Sequence, residues 1–74
     1  MSVTVYTIPN CPGCDQTKKY LDRKDVAYDV VDITVDEEAR DLVFGLGFKA
    51  APVVIAGEDA WSGFRPDRLN KLFA

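Results

Sequence analysis

Histidine is absent from this chain of 74 residues, and cysteine occurs only twice. A mononuclear zinc site usually requires four ligands of the Cys, His or carboxylate type. Such a site within one chain is therefore not expected. A metal site shared between two chains, including an iron–sulfur cluster, stays open as an alternative use of the two cysteines.

Positive charge and long apolar runs are also scarce. The net charge is −3, whereas general nucleic-acid binding depends on many Lys and Arg contacts with phosphate. No stretch approaches the roughly 20 apolar residues of a membrane span. The N-terminus lacks the basic start of a signal peptide. We therefore expect no nucleic-acid or membrane partner and a location in the reducing cytoplasm, where disulfides are usually transient and catalytic.

The residues that are present predict one α/β domain over 1–74. Hydrophobic residues make up 47% of the chain, as in ordinary globular proteins. β-branched runs alternate with amphipathic segments in the order β-α-β-α-β-β-α, which predicts a thioredoxin-like fold with a four-stranded mixed sheet and three helices. The predicted strands cover 2–8, 26–33, 52–56 and 59–61, and the predicted helices cover 12–24, the segment after Thr34, and the segment from Pro66.

The second helix has the clearest amphipathic pattern. Thr34 and Glu37 fit a capping box, with Thr34 as the N-cap residue. Gly45 and Gly47 are expected to end the helix. The apolar residues predicted to face the core follow the spacing i, i+3, i+4, i+7 and are Ala39, Leu42, Val43 and Leu46.

The two cysteines are spaced as Cys11-Pro12-Gly13-Cys14. Closing so short a loop removes little entropy from the unfolded chain, so a disulfide here is a poor structural staple. The pair follows a strand and begins a helix, which is typical of a thioredoxin-like redox site. Two buried structural thiols are the less favoured alternative.

The predicted helix start assigns different roles to the two sulfurs. Cys11 would face unpaired N–H groups and the positive end of the helix dipole, which favour the thiolate. Cys11 is therefore predicted to attack a substrate disulfide and Cys14 to resolve the mixed disulfide. Gly13 leaves the surface beside Cys11 open, and Pro12 lowers the flexibility of the reduced state.

The segment Trp61–Asp67 is the second unusual feature, with two aromatic residues, a glycine and an Arg-Pro-Asp corner. One interpretation is that Trp61 and Phe64 fill the core and that Asp67 complements a helix start. The other is that part of the segment is a docking surface beside the cysteines. The sequence leaves both open.

Taken together, these motifs resemble the NrdH-redoxins, the glutaredoxin-like electron donors of class Ib ribonucleotide reductase. The resemblance covers essentially the whole chain. Two places depart from it: Pro12-Gly13 stands where the family commonly has Val-Gln or Met-Gln, and Ile8 stands where many members have Lys. The motifs that carry the resemblance are Cys11-x-x-Cys14, Ala51-Pro52-Val53 and the Trp-Ser-Gly-Phe-Arg-Pro-Asp run of residues 61–67.

The resemblance implies an electron path and a partner surface. NADPH would supply electrons indirectly, through thioredoxin reductase, and the chain would reduce the large subunit of ribonucleotide reductase as a monomer without a bound cofactor. Pro52 would be cis, with the Ala51 backbone opposite Cys11. Arg68 would lie near the reductase-docking surface. The residues implied to occupy the region where glutaredoxins hold glutathione, and so to bind partners, are Trp61, Ser62, Gly63 and Phe64.

A glutathione-dependent glutaredoxin is the alternative function. Against it, Gly13 replaces the tyrosine that often follows Cys-Pro in glutaredoxins, and no Gly-Gly pair is recognisable around Trp61–Gly63. An iron–sulfur module is a further alternative.

Overall fold

The computed structural model describes residues 2–73, in which four strands and three helices follow the predicted order. The first two strands are shorter than predicted at both ends. The elements are β1 (Val3–Thr7), α1 (Pro12–Arg23), β2 (Asp29–Asp32), α2 (Glu37–Gly45), β3 (Val53–Ala56), β4 (Asp59–Ser62) and α3 (Pro66–Phe73).

The strands form a single mixed sheet in the order β2-β1-β3-β4. β1 is parallel to β2, where Val5 lies opposite Val30. β1 is antiparallel to β3, where Val5 lies opposite Val54. β3 and β4 form an antiparallel hairpin that pairs Val54 with Trp61. The predicted fold, a thioredoxin-like mixed sheet with three helices, is confirmed.

A hydrophobic cluster lies on each face of the sheet. Successive strand residues point to opposite faces, so Val5 and Tyr6 of β1 belong to different clusters. The larger cluster joins the sheet to α1 and α3 and contains Val3, Val5, Tyr20, Leu21, Val54, Ala56, Trp61 and Leu69. The smaller cluster lies under α2 and contains Tyr6, Ile33, Ala39, Val43 and Val53.

The start of α2 differs from the prediction. Asp36 is the N-cap residue, and its Oδ1 accepts a hydrogen bond from the Ala39 N–H at 3.0 Å. Thr34 belongs to the preceding turn, because its N–H and its hydroxyl both donate to Oδ1 of Asp32 at 2.8 and 2.6 Å. The predicted capping box at Thr34 and Glu37 is therefore wrong.

The apolar face of α2 is narrower than predicted. Ala39 and Val43 are buried, whereas Leu42 is 46% exposed and Leu46 is 51% exposed. No second helix contributes to the cluster under α2 among the described residues, so the side of the helix that carries Leu42 is left partly exposed. Leu46 follows the last helical turn, where the chain turns away at Gly47 with φ of 93°.

The ends of α1 and α2 are closed in the same way. After α1, Asp25 has a left-handed φ of 55°, and the Val26 N–H donates to the Leu21 carbonyl at 3.0 Å. After α2, Gly47 takes that place, and the Phe48 N–H donates to the carbonyl of Val43. Both are Schellman-type endings. No helix within residues 2–73 is long and apolar enough to cross a bilayer.

Candidate active site

Cys11 and Cys14 lie at the start of α1 and form a disulfide, with their Cα atoms 5.2 Å apart. Cys11 is the N-cap residue of the helix, and its Sγ accepts a hydrogen bond from the Cys14 N–H at 3.1 Å. The first N–H groups of a helix have no partner within it. The Cys11 sulfur therefore satisfies one of these donors and lies at the positive end of the helix dipole.

Burial distinguishes the two sulfurs. Cys14 is 1% exposed, whereas Cys11 is half-buried and reaches the surface. A partner disulfide can approach Cys11 but not Cys14 without a rearrangement. This geometry supports the prediction that Cys11 attacks first and that Cys14 acts from within the protein.

The two residues between the cysteines bring α1 against the loop that precedes β3. Pro12 opens the helix, where its missing N–H costs no hydrogen bond. A Cβ atom added at Gly13 would lie 3.2 Å from Cδ of Pro52 and 3.9 Å from Cβ of Phe64. The absence of a side chain at Gly13 thus allows the helix start to pack directly on Pro52.

Thr17 supports this helix start and was assigned no role from the sequence. Its side chain is fully buried, and its hydroxyl donates to the Gly13 carbonyl at 2.8 Å. Hydrogen bonding of a threonine to the carbonyl four residues earlier is a local pattern. The spacing of Gly13 and Thr17 was therefore a signal available in the sequence.

The Ala51–Pro52 peptide bond is cis, the isomer that the resemblance implied. Pro52 is buried, and Ala51 is half-buried beside it. The Pro52 carbonyl accepts a hydrogen bond from the Gly63 N–H at 2.7 Å. The Ser62 hydroxyl donates to the carbonyl of Ala50, also at 2.7 Å. These two bonds fix the loop before β3 to the end of β4.

The segment Trp61–Phe64 divides between core and surface. Trp61 is 3% exposed and packs in the larger cluster, which favours the core interpretation of its side chain, and its role in partner binding stays a prediction. The alternation of side chains along β4 turns this ring inward. Its Nε1 makes no hydrogen bond to the residues that the structure describes. Ser62, Gly63 and Phe64 are half-buried near Pro52.

The Arg-Pro-Asp corner leads into α3. Nε and Nη2 of Arg65 donate to the two carboxylate oxygens of Asp67 at 3.1 and 2.9 Å. Hydrogen bonding from Arg65 holds the pKa of the Asp67 carboxyl below its ordinary value. Arg68 is exposed on the first turn of α3. The sequence thus placed Asp67 correctly as a group at a helix start.

An apolar groove of about 320 Å³ adjoins the loop before Pro52. Its lining includes Ile8, Phe44, Phe48, Lys49 and Ala51. Ile8 is 38% exposed. Sequence analysis missed this groove, because the residues that line it come from three separate parts of the chain.

No group of three or more His, Cys, Asp or Glu side chains that could hold a metal ion occurs in residues 2–73. The candidate reactive group is the Cys11–Cys14 disulfide, which lies at the start of α1 near the loop that contains the cis peptide bond at Pro52. Such an arrangement can exchange a dithiol for a disulfide.

Comparison with known proteins agrees with this chemistry. The model of the glutaredoxin family matches residues 3–61. The glutaredoxin-like protein NrdH of Salmonella typhimurium is 40% identical over 72 residues, which are 97% of this chain and 89% of that protein. The NrdH protein of Lactococcus lactis subsp. lactis is 43% identical over 70 residues, covering 95% of this chain and 97% of that protein.

A solved structure shows the same fold throughout. The structure of the glutaredoxin-like protein NrdH-redoxin from Escherichia coli, described as having a thioredoxin-like activity profile, superposes with a TM-score of 0.95 at 36% identity. The match covers 100% of this chain and 97% of that one. The chain therefore belongs to the glutaredoxin family, among its NrdH glutaredoxin-like proteins, and is a thiol–disulfide oxidoreductase.

Proposed function

We propose that the protein carries electrons from thioredoxin reductase to the large subunit of a class Ib ribonucleotide reductase in the cytoplasm. The observation that carries this proposal is a surface Cys11 sulfur at a helix start, backed by a buried Cys14. The likeness to NrdH proteins over 97% of the chain supports the choice of partners.

The reaction needs only the two cysteines. In the reduced protein the Cys11 thiolate attacks one sulfur of the substrate disulfide, forms a mixed disulfide and releases the first substrate thiol. Cys14 loses its proton and attacks the Cys11 sulfur, which forms the Cys11–Cys14 disulfide and releases the second substrate thiol. Two electrons pass to the substrate, and its two thiols take one proton from Cys14 and one from the solvent, because Cys11 reacts as a thiolate. The reductase returns two electrons from NADPH.

The hydrogen bonds around residues 61–64 favour a protein donor over glutathione. The Ser62 hydroxyl and the Gly63 N–H both donate to carbonyls of the loop before β3. These donors are used within the protein and are not offered to a small ligand. Trp61 is buried and presents no ring to one.

A comparison of electron donors tests the proposal. NADPH oxidation is followed with thioredoxin reductase, and separately with glutathione and glutathione reductase, using the oxidised large subunit of ribonucleotide reductase as acceptor. We expect NADPH consumption only in the first mixture. The Cys11→Ser variant should be inactive in both mixtures and controls for direct reduction of the acceptor.

The opposite result would reject the proposed donor. Turnover with glutathione and its reductase, without turnover with thioredoxin reductase, would assign the protein to glutathione-dependent reduction.

A further inference from the structure

Asn10, directly before Cys11, has an unusual backbone conformation. Its φ is 58°, in the left-handed region. Residues other than glycine seldom adopt this region, although asparagine tolerates it better than most. The side chain is exposed and makes no hydrogen bond to any residue that the structure describes. The backbone conformation of Asn10, and not a side-chain contact, therefore needs an explanation.

The conformation of Asn10 determines how the chain enters α1. β1 ends at Thr7, and the helix begins at Pro12, so the chain reverses within a few residues. Directly after Asn10, Cys11 is extended, with φ of −116° and ψ of 102°. In this position its Sγ accepts the Cys14 N–H, and its carbonyl accepts the Asp15 N–H at 3.1 Å. A change of φ at Asn10 would reorient Cys11 and move its sulfur away from the Cys14 N–H.

We propose that Asn10 is a positioning residue for the reaction: its left-handed backbone directs the Cys11 sulfur onto the Cys14 N–H at the start of α1 and so maintains the reactivity of the thiolate. Asn10 acts through Cys11 and contacts no substrate in this scheme. The inference rests on the proposed function in one respect, namely that Cys11 is the attacking thiol.

The chain contains a matched control at the other end of the same helix. Asp25 is also exposed and also left-handed, with φ of 55°. α1 has 12 residues, so about 18 Å of helix separates the two positions. Salt screens the interaction of exposed charges beyond about 8 Å at physiological ionic strength, so loss of the Asp25 charge should not affect Cys11 directly. Substitution of Asp25 should disturb a left-handed residue without moving the cysteines.

The test measures the pH dependence of thiol alkylation in the fully reduced protein. Iodoacetamide reacts with a thiolate to form a thioether and iodide, and peptide mass spectrometry assigns the product to Cys11 or Cys14. The variants are Asn10→Val, Asn10→Ala, Asn10→Gly and Asp25→Val, each checked for folding by circular dichroism. If Asn10→Val does not fold, Asn10→Ala is used in its place, because alanine is not β-branched and is less unfavourable in this conformation.

We expect Asn10→Val to raise the pH midpoint of Cys11 alkylation by about 0.5 to 1 unit. At pH values below the midpoint this corresponds to an alkylation rate that is about three- to tenfold lower. Asn10→Ala should give a smaller rise in the same direction. Asn10→Gly should keep the wild-type midpoint, because glycine adopts a positive φ without penalty. Asp25→Val should lower the melting temperature and leave the midpoint unchanged.

Three results would overturn the inference: an unchanged midpoint in folded Asn10→Val, a shift in Asn10→Gly as large as that in Asn10→Val, or an equal shift in Asp25→Val. The second would assign the effect to the amide side chain, and the third to general destabilisation. First alkylation of Cys14 in the unaltered protein would instead refute the attacking role of Cys11 in the proposed function, whatever the variants show.

Discussion

A single carboxylate decides where α2 begins. Thr34 and Asp36 are both residue types that favour the N-cap position, and the sequence pattern selected Thr34 because Glu37 follows it at the capping-box spacing. In the structure the turn after β2 uses both donors of Thr34 on Asp32. Asp36 is left to accept the Ala39 N–H. Competition between neighbouring polar side chains was not visible in the spacing.

The capping role of Asp36 predicts a measurable difference between two neighbouring alanine substitutions. Asp36→Ala should reduce the free energy of unfolding by about 1 kcal/mol, since an N-cap carboxylate is lost. Thr34→Ala, as the matched control, should cost less than about 0.5 kcal/mol, because its bonds are exposed. Urea denaturation of the oxidised protein measures both. A larger loss for Thr34→Ala would contradict the assignment.

The neighbouring residues Trp61 and Ser62 differ in how deeply their side chains are buried. Both belong to a segment that the sequence singled out as unusual, but the Trp61 ring is in the core while the Ser62 hydroxyl holds the loop at Ala50. The pattern identified the segment as important. It did not determine which of its side chains faced inward, because the pairing of β4 with β3 fixes that choice.

At the scale of elements, α2 is the segment in which periodicity was least reliable. Its four predicted inward residues follow helical spacing, yet only Ala39 and Val43 are buried. The spacing describes the helix alone. How much of its apolar surface is covered depends on what packs beside it, and among the described residues no other helix contributes to the cluster under α2.

This difference in burial predicts the effect of two substitutions in one helix. Val43→Ala should lower the free energy of unfolding by about 2 kcal/mol, because it removes buried methyl groups and leaves a cavity. Leu42→Ala removes more atoms but should change stability by less than about 0.5 kcal/mol, since Leu42 is 46% exposed. Denaturant titration compares the two variants. Equal losses would show that Leu42 is covered in solution.

At the scale of the molecule, the sheet brings three distant segments to one place. The start of α1, the loop before β3 and the end of β4 meet where Gly13 packs against Pro52 and where the Pro52 carbonyl receives the Gly63 N–H. Cys11 lies at the surface of this assembly and Cys14 beneath it. The access of a substrate to Cys11 follows from the whole fold, and the predicted order of attack depends on it.

The order of attack predicts which single-cysteine variant traps a substrate. Cys14→Ser should accumulate a mixed disulfide through Cys11, because the thiol that resolves it is missing. Cys11→Ser should trap none, since the remaining cysteine, Cys14, is 1% exposed. Non-reducing electrophoresis with the oxidised large subunit of ribonucleotide reductase, followed by mass spectrometry, distinguishes the two. Trapping by Cys11→Ser alone would reverse the roles of the cysteines.

The sequence by itself determined the order of elements, the redox pair and the end of α1 to within one residue, because each depends on interactions between residues close together in the chain. The family resemblance also implied the cis bond at Pro52. Only the tertiary structure decided the burial of Trp61, the exposure of Leu42, the contact between Gly13 and Pro52 and the groove beside Ala51. Those features depend on contacts between segments far apart in the sequence, which local spacing does not encode.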